Sequence, residues 1–226
     1  MLPLAVIITT IPAETGLIAT LRAVRAAGIG PAEIIVTDAG AGEDDTAFAR
    51  AVGARVLPAY HAGRGAQLVQ GAAASAAPWL LFLDAGTVPG PGWGAEITGF
   101  AADPLGRGRA GYFRLVFDDP APAARRLETV AAWRAGRGLP IGAQGLVLSR
   151  DLYDRLGGFR ALPLLEDADL ARRIGRHRLV ALETEAMVSA ERYQRDGWLA
   201  RPARNAAVLG LWFLGVPPKR LRRLRG

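Results

Sequence analysis

The stretch Trp79-Leu80-Leu81-Phe82-Leu83-Asp84-Ala85-Gly86-Thr87 decides how this chain is read. Its apolar run is too short for a helix, shows no polar alternation and stops on an acid before a glycine turn. Such a run describes a strand buried on both faces. Towards the amino terminus the same reading applies three more times: residues 4–10 are apolar and β-branched, 33–37 form a second run closing on Asp38, and 55–57 a brief third. Helical segments lie between them. Residues 14–27 carry Leu17, Ile18, Leu21 and Val24 at helical spacing, Glu43-Asp44-Asp45 opens a second helix with acids at its positive end, and 63–76 is the third. Four strand–helix steps imply an α/β fold with a parallel sheet covered by helices on both faces. Ligands of such sheets lie beyond the carboxyl ends of the strands, where Asp38 and Asp84 both fall.

After Asp84 the rhythm changes. Pro89-Gly90-Pro91-Gly92 makes a loop, 93–102 a helix, 111–117 an alternating strand and 121–135 a helix. Residues 144–148 form a strand, 151–156 a short helix stopped by Gly157-Gly158, and Glu166-Asp167-Ala168-Asp169 opens a helix to Ile174. Two short β segments follow at 179–182 and 186–189, then a helix over 198–214 and a basic finish at 219–225. The organisation expected is one domain over 1–191, with 192–226 as an apolar helix and basic tail.

The chain has 226 residues, 28 Lys+Arg against 21 Asp+Glu, two His and no Cys. Lack of cysteine excludes disulfides, thiolate zinc, iron–sulfur clusters and a cysteine nucleophile, and it fits a reducing cytoplasmic compartment. The net charge of +7 is a tail property: residues 1–191 hold 19 basic and 20 acidic residues, and 192–226 hold 9 and 1. Lys219 is the sole lysine, which points to a GC-rich genome and makes arginine usage a poor sign of phosphate binding. Basic residues do not interleave with aromatics on a nucleic-acid-binding module, so nucleic acid is not an expected partner. The opening 2–11 lacks the basic start of a signal peptide, and the longest late apolar stretch, 206–216, has 11 residues where a membrane span needs about 20. The expectation is a soluble or peripheral protein.

Four places carry chemistry. Asp38, at a strand end before Ala39-Gly40-Ala41-Gly42, could accept hydrogen bonds from a nucleotide's ribose or base, or serve as a turn residue. Gly63-Arg64-Gly65-Ala66-Gln67 puts an arginine at a helix entry, suited to a diphosphate or to plain solvation. Asp84 stands where a Mg²⁺ or Mn²⁺ ion bridging a diphosphate is held, although position 86, which would supply a second acid, is glycine. Glu166 and Asp167 sit at the positive end of a helix, which would keep a carboxylate ionised as a general base requires.

Together with Gly138-Leu139-Pro140-Ile141-Gly142-Ala143-Gln144-Gly145, Pro163-Leu164-Leu165-Glu166-Asp167, Ser189-Ala190-Glu191-Arg192-Tyr193 and Leu214-Gly215-Val216-Pro217, the order of these motifs resembles family 2 glycosyltransferases of the GT-A fold. It is most similar to the small subgroup of radical-SAM/selenodomain-associated transferases. The resemblance implies a single-domain GT-A fold, Rossmann-like, with a mostly parallel sheet. It implies a bacterial hexosyltransferase-type enzyme that moves a sugar from a nucleotide-sugar donor to a hydroxyl acceptor with inversion. By position, Thr10, Asp38, Arg64 and Asp84 would contact the nucleotide, with Asp84 also at a divalent cation. Asp167 would be the catalytic base, and Gln144, Glu166 and Arg192 would line the acceptor or phosphate region. The chain departs from the family at Pro12-Ala13, where Asn-Glu is usual, at Gly86 and at Ala143, both usually acids. These neutral positions imply either weaker metal dependence, with arginines partly replacing the cation, or a nucleotide-sugar-binding protein impaired in transfer. A nucleotidyltransferase would open with a Gly-rich loop and basic residues, but Thr9-Thr10-Ile11-Pro12 follows the first strand. For 198–226 two readings stand: a helix docked on the core, or contact with an anionic membrane surface at the inner face, which would suit a lipid-linked acceptor.

Overall fold

Alternation along the first strand sets the layers of the molecule. In β1 (Leu4–Thr9), Leu4, Val6 and Ile8 point to one face of the sheet and Ala5 and Ile7 to the other, and all five are fully buried. A strand covered on both sides has no use for polar alternation, which is why its sequence is apolar throughout. The computed structural model describes residues 2–12, 15–28, 33–59 and 63–225, the last four as backbone only. Ala13 and Glu14, named above, lie outside the described residues.

Three strands join β1 in parallel: β2 (Glu33–Asp38), β3 (Arg55–Pro58) and β4 (Trp79–Asp84), in the order β3-β2-β1-β4. The helices α1 (Leu17–Arg25), α2 (Glu43–Ala51) and α3 (Arg64–Ala73) connect them. α1 and α2, with the later α4 (Trp93–Ala102), cover the Leu4/Val6/Ile8 face. α3 covers the Ala5/Ile7 face with α6 (Arg150–Arg155) and α7 (Glu166–Ile174). Where the expected helix over 14–27 is described, it begins at Leu17, after Gly16 turns the chain with φ 109°.

Beyond β4 the sheet is mixed. β7 (Leu146–Ser149) lies between β4 and β6 (Ala110–Phe117) and runs antiparallel to both, β8 (Leu179–Val188) is parallel to β6, and the two-residue β5 (Val88–Pro89) closes the edge antiparallel to β8. The two β segments expected at 179–182 and 186–189 are therefore one strand. Its polar centre is accommodated because the Glu96 carboxylate accepts from the backbone N–H groups of Glu183 (2.6 Å) and Thr184 (2.9 Å), while the register against β6 shifts between Tyr112 and Arg114.

α5 (Pro122–Ala135) packs on β6, and α8 (Glu191–Asp196) follows β8. The helix expected over 198–214 is α9 (Ala200–Phe213), followed by α10 (Pro218–Arg225). Val208 of α9 and Leu221 of α10 are buried against Leu164, just ahead of α7, so at these side chains the tail docks on the domain. Leu199, Phe213 and Leu214 remain exposed.

The segment leading into α7 is anchored by rings. Phe159 lies edge-on to Phe82 at 4.9 Å, and Tyr153 stacks on Phe82 at 5.6 Å. Truncating Phe82 to Ala is expected to cost about 3–5 kcal/mol, read by chemical denaturation of the whole chain.

Candidate active site

Beyond the carboxyl ends of β1, β2 and β4, in the region where an open α/β sheet offers a crevice, four of the expected residues converge. Register places Thr9 of β1 between Thr37 of β2 and Asp84 of β4. Asp38 and Asp84 thus flank the end of the first strand.

The Asp38 carboxylate is organised on one oxygen. Oδ1 accepts from the Thr10 hydroxyl (2.7 Å) and from the N–H groups of Ala41 (2.8 Å) and Gly40 (3.1 Å). Partial burial would raise the Asp38 pKa, but these donors and the Arg50 charge outweigh it and hold the carboxyl below its ordinary range. Thr10 is buried and also accepts from the Ala39 N–H at 3.0 Å, so its hydroxyl props Asp38 and the turn. Oδ2 of Asp38 has no protein partner among the described residues.

Arg64, at the first position of α3, is the hub. Its Nε donates to Asp84 Oδ1 (2.5 Å), and its Nη1 donates to Glu166 Oε1 (2.8 Å) and Asp167 Oδ1 (2.6 Å). Thr9, which sequence reasoning missed, donates its hydroxyl to the same Asp84 oxygen at 3.1 Å. Burial would depress the Arg64 pKa, but the charges of Asp167, Asp84 and Glu166 together raise it well above its ordinary value. Close backbone approach makes the hub possible. A Cβ on Gly65 would stand 2.6 Å from the Arg160 carbonyl and 2.8 Å from that of Leu162, and one on Gly142 would strike the guanidinium itself.

Asp167 and Glu166 reach the hub because Leu165, ahead of α7, holds a left-handed conformation at φ 67°, the one non-glycine residue with positive φ among the described residues. Asp167 Oδ2 accepts from the Gly142 N–H at 3.1 Å. At the helix start this carboxyl is held ionised at neutral pH with less margin than an ordinary aspartate has. Burial raises its pKa to about 6, against the lowering by Arg64 and with further raising by Glu166 and Asp84. Desolvation outweighs the helix end here, and Asp167 still titrates below neutrality, where a general base is useful.

Gln144 is corrected. Its side chain is buried in the turn before β7, where Oε1 accepts from the Ile141 N–H and Nε2 donates to the Phe113 carbonyl, each at 3.1 Å. Both polar atoms of its amide are spent on backbone groups of that turn and of β6. Arg192 lies half-buried on α8, next to Tyr193, which packs edge-on to Phe117 at 5.0 Å. Arg134 on α5 was not singled out in the sequence, yet Asp167 is among its charged neighbours.

A divalent cation fits this donor set only with help from a ligand. Among the described residues no three His, Cys, Asp or Glu side chains form a metal cluster. Asp84 uses Oδ1 for Thr9 and Arg64, which leaves Oδ2 without a protein partner among the described residues, and Mg²⁺ is commonly held by one or two carboxylates plus substrate phosphates. Three carboxylates around one guanidinium are also short of positive charge. Gly86 explains the missing second acid: its φ is 85°, a Cβ there would lie 3.0 Å from the Thr15 carbonyl, and a Cβ on Gly16 would approach the Gly86 Cα to 2.7 Å.

No protein-family model matches the chain, and no curated protein matches its sequence. Solved structures of glucosyl-3-phosphoglycerate synthase from Mycobacterium tuberculosis do. The complex with Mn²⁺, UDP and glucosyl-3-phosphoglycerate superposes with a TM-score of 0.56 at 20% identity, over 82% of this chain and 70% of that one. The complex with Mn²⁺, UDP-glucose and phosphoglyceric acid gives 0.57 at 19% over the same shares. The complex with Mg²⁺ and UDP gives 0.56 at 21%, covering 82% and 69%. This chain has the GT-A glycosyltransferase fold. Within the GT-A fold the convergence of Arg64, Asp84, Glu166 and Asp167 is a property of this chain's own geometry.

Two outcomes test that geometry. Gly65→Ala should overpack the approach of α3 to the 160–162 segment and cost about 1–3 kcal/mol, a fall in Tm of roughly 2–12 °C by calorimetry. In a carboxyl-carbon NMR titration, Arg64→Gln should move the Asp167 pKa above 6 and Asp84→Asn should move it below, because the arginine lowers that pKa and the Asp84 charge raises it.

Proposed function

We propose that this protein is a glycosyltransferase that moves a hexose from a UDP-sugar to a hydroxyl acceptor with inversion. The observation that carries the reading is the Arg64 hub, which joins a diphosphate-side carboxylate, Asp84, to a carboxylate with a base's pKa, Asp167. The likeness to a synthase crystallised with UDP-glucose, Mn²⁺ and phosphoglyceric acid supports a nucleotide-sugar donor and a hydroxyl acceptor.

In this reading the free Oδ2 of Asp38 accepts from the ribose or base of the donor, with Thr10 fixing its orientation. The diphosphate lies over Asp84 and Arg64, and Arg192 is a further contact for it. A divalent cation held by Asp84 and the donor phosphates would offset the charge that develops on the leaving diphosphate. Asp167 takes the acceptor's hydroxyl proton as the acceptor oxygen attacks the anomeric carbon from the side opposite the diphosphate. The bond from that carbon to the diphosphate oxygen breaks, UDP leaves, and the anomeric configuration inverts. Glu166 keeps Arg64 in place between the two carboxylates, and the turn fixed by Gln144 presents the Gly142 N–H that orients Asp167.

Asp167→Asn is expected to lower transfer or donor hydrolysis by about 10²–10⁴-fold with the circular dichroism spectrum unchanged, measured as UDP release from a panel of UDP-sugars with Mn²⁺. Equal rates in that variant would remove Asp167 as the base. Donor-induced thermal stabilisation without turnover in the unaltered protein would instead leave a nucleotide-sugar-binding protein.

The exposed Phe213 and Leu214, which precede the basic α10, support a peripheral contact with the inner membrane face and a lipid-linked acceptor. No helix among the described residues is long and apolar enough to cross a membrane. Co-sedimentation with anionic liposomes at low salt, lost when residues 217–226 are removed, is the expected result; no sedimentation with liposomes would end the lipid-linked reading.

A further inference from the structure

Helix α5 carries a cation that the hub does not use. Arg134, in its last turn, is half-buried, and its Nε is closed off from solvent without a hydrogen-bond partner. No ion pair holds its guanidinium among the described residues. Burial lowers its pKa, and the groups that act against this are Tyr193 and Asp167. A guanidinium partly withdrawn from water without a carboxylate costs stability, and an anion at its accessible edge would relieve that cost.

The chain that follows Arg134 leads to the base's side of the site, and Asp167 is one of the arginine's charged neighbours. Its carbonyl accepts from the N–H groups of Arg137 (3.0 Å) and Leu139 (3.3 Å), where the chain leaves α5 for Pro140, Ile141 and Gly142. Those three residues line a small cavity with Arg64 and Asp167. On the α8 side, Tyr193 stacks on Trp198 at 5.8 Å and packs on Phe117, so the wall beside the arginine is a rigid aromatic one. Asp38 and Asp84 belong to the other side, at the ends of β2 and β4.

We propose that Arg134 anchors an oxyanion, a phosphate or a carboxylate, carried by the acceptor, so that the substrate class of this site is an acidic hydroxyl compound. This rests on the glycosyltransferase reading, because the group beside the base belongs to whichever molecule gives up its proton there. The planar guanidinium suits such anions, which it can bind with two parallel hydrogen bonds. A neutral alcohol leaves the arginine unpaired, and sites with a polar group left unpaired reject the ligand that fails to meet it.

The test is isothermal titration of the full-length protein with glycerol 3-phosphate, glycerate and glycerol, with and without saturating UDP. UDP binding is measured separately. The unaltered protein should bind at least one of the two anions at least tenfold more tightly than glycerol, and which one distinguishes phosphate from carboxylate. Arg134→Gln should weaken that anion at least tenfold while UDP affinity stays within twofold. Arg134→Lys should fall between, and Arg107→Gln, which alters a solvent-exposed arginine paired with Asp151, should change nothing. Equal anion affinity in Arg134→Gln, or no preference for anions in the unaltered protein, overturns the assignment. A loss of UDP as large as the loss of anion would place Arg134 at the donor diphosphate and overturn it too. Failure of UDP to bind the unaltered protein counts against the donor reading, and the anion titrations without UDP still decide Arg134.

Discussion

The guanidinium of Arg64 meets carboxylates at the end of β4 and at the start of α7, the latter over 100 residues away in sequence, and the candidate site exists only because it does. Asp84, Glu166 and Asp167 would repel one another without it, and a mostly buried arginine would be stranded without them. The pairing joins the parallel half of the sheet, which presents Asp38 and Asp84, to the α7 segment packed beneath its mixed half. Strand order makes that junction possible: β7 is inserted next to β4, and the turn leading into β7 supplies the Gly142 N–H to Asp167.

Such a hub needs backbones closer together than side chains allow. Gly65 and Gly142 leave the room, and Leu165 takes up the left-handed turn that aims both acids inward. Local conformational strain is thus traded for electrostatic contact where Arg64, Asp84, Glu166 and Asp167 meet. The aromatic trio of Phe82, Tyr153 and Phe159 backs this arrangement from below and holds the approach to α7 in register with the sheet.

Much of the fold was legible because its signals are local. A strand buried on both faces must be apolar throughout, and β1, β2 and β4 read that way. The antiparallel insertion of β7 was not legible, since a strand's partner leaves no mark in its own residues. The continuity of β8 was hidden because its polar centre is satisfied by Glu96, from a helix far away in sequence. In the site, Asp38, Arg64, Asp84 and Asp167 stood out at strand and helix ends, but their mutual pairing is a tertiary fact. The raised pKa of Asp167 was not legible for the same reason: the helix start is visible in sequence and the burial is not. Gln144 was noticed for its motif and proves to be spent on backbone groups. In a chain whose basic residues are almost all arginine, nothing marked Arg134 apart from the others.

The contact of Gly16 with Gly86 carries its own consequence. The backbone that follows β4 presses against the turn that opens α1, with no side chain on either surface at the point of contact. A second acid at position 86 is therefore not one substitution away: its first carbon would meet the Thr15 carbonyl, in a backbone conformation that suits glycine. The absence of that acid is written into the path of two loops, so any lineage or laboratory seeking to restore it would have to reshape the α1 turn first.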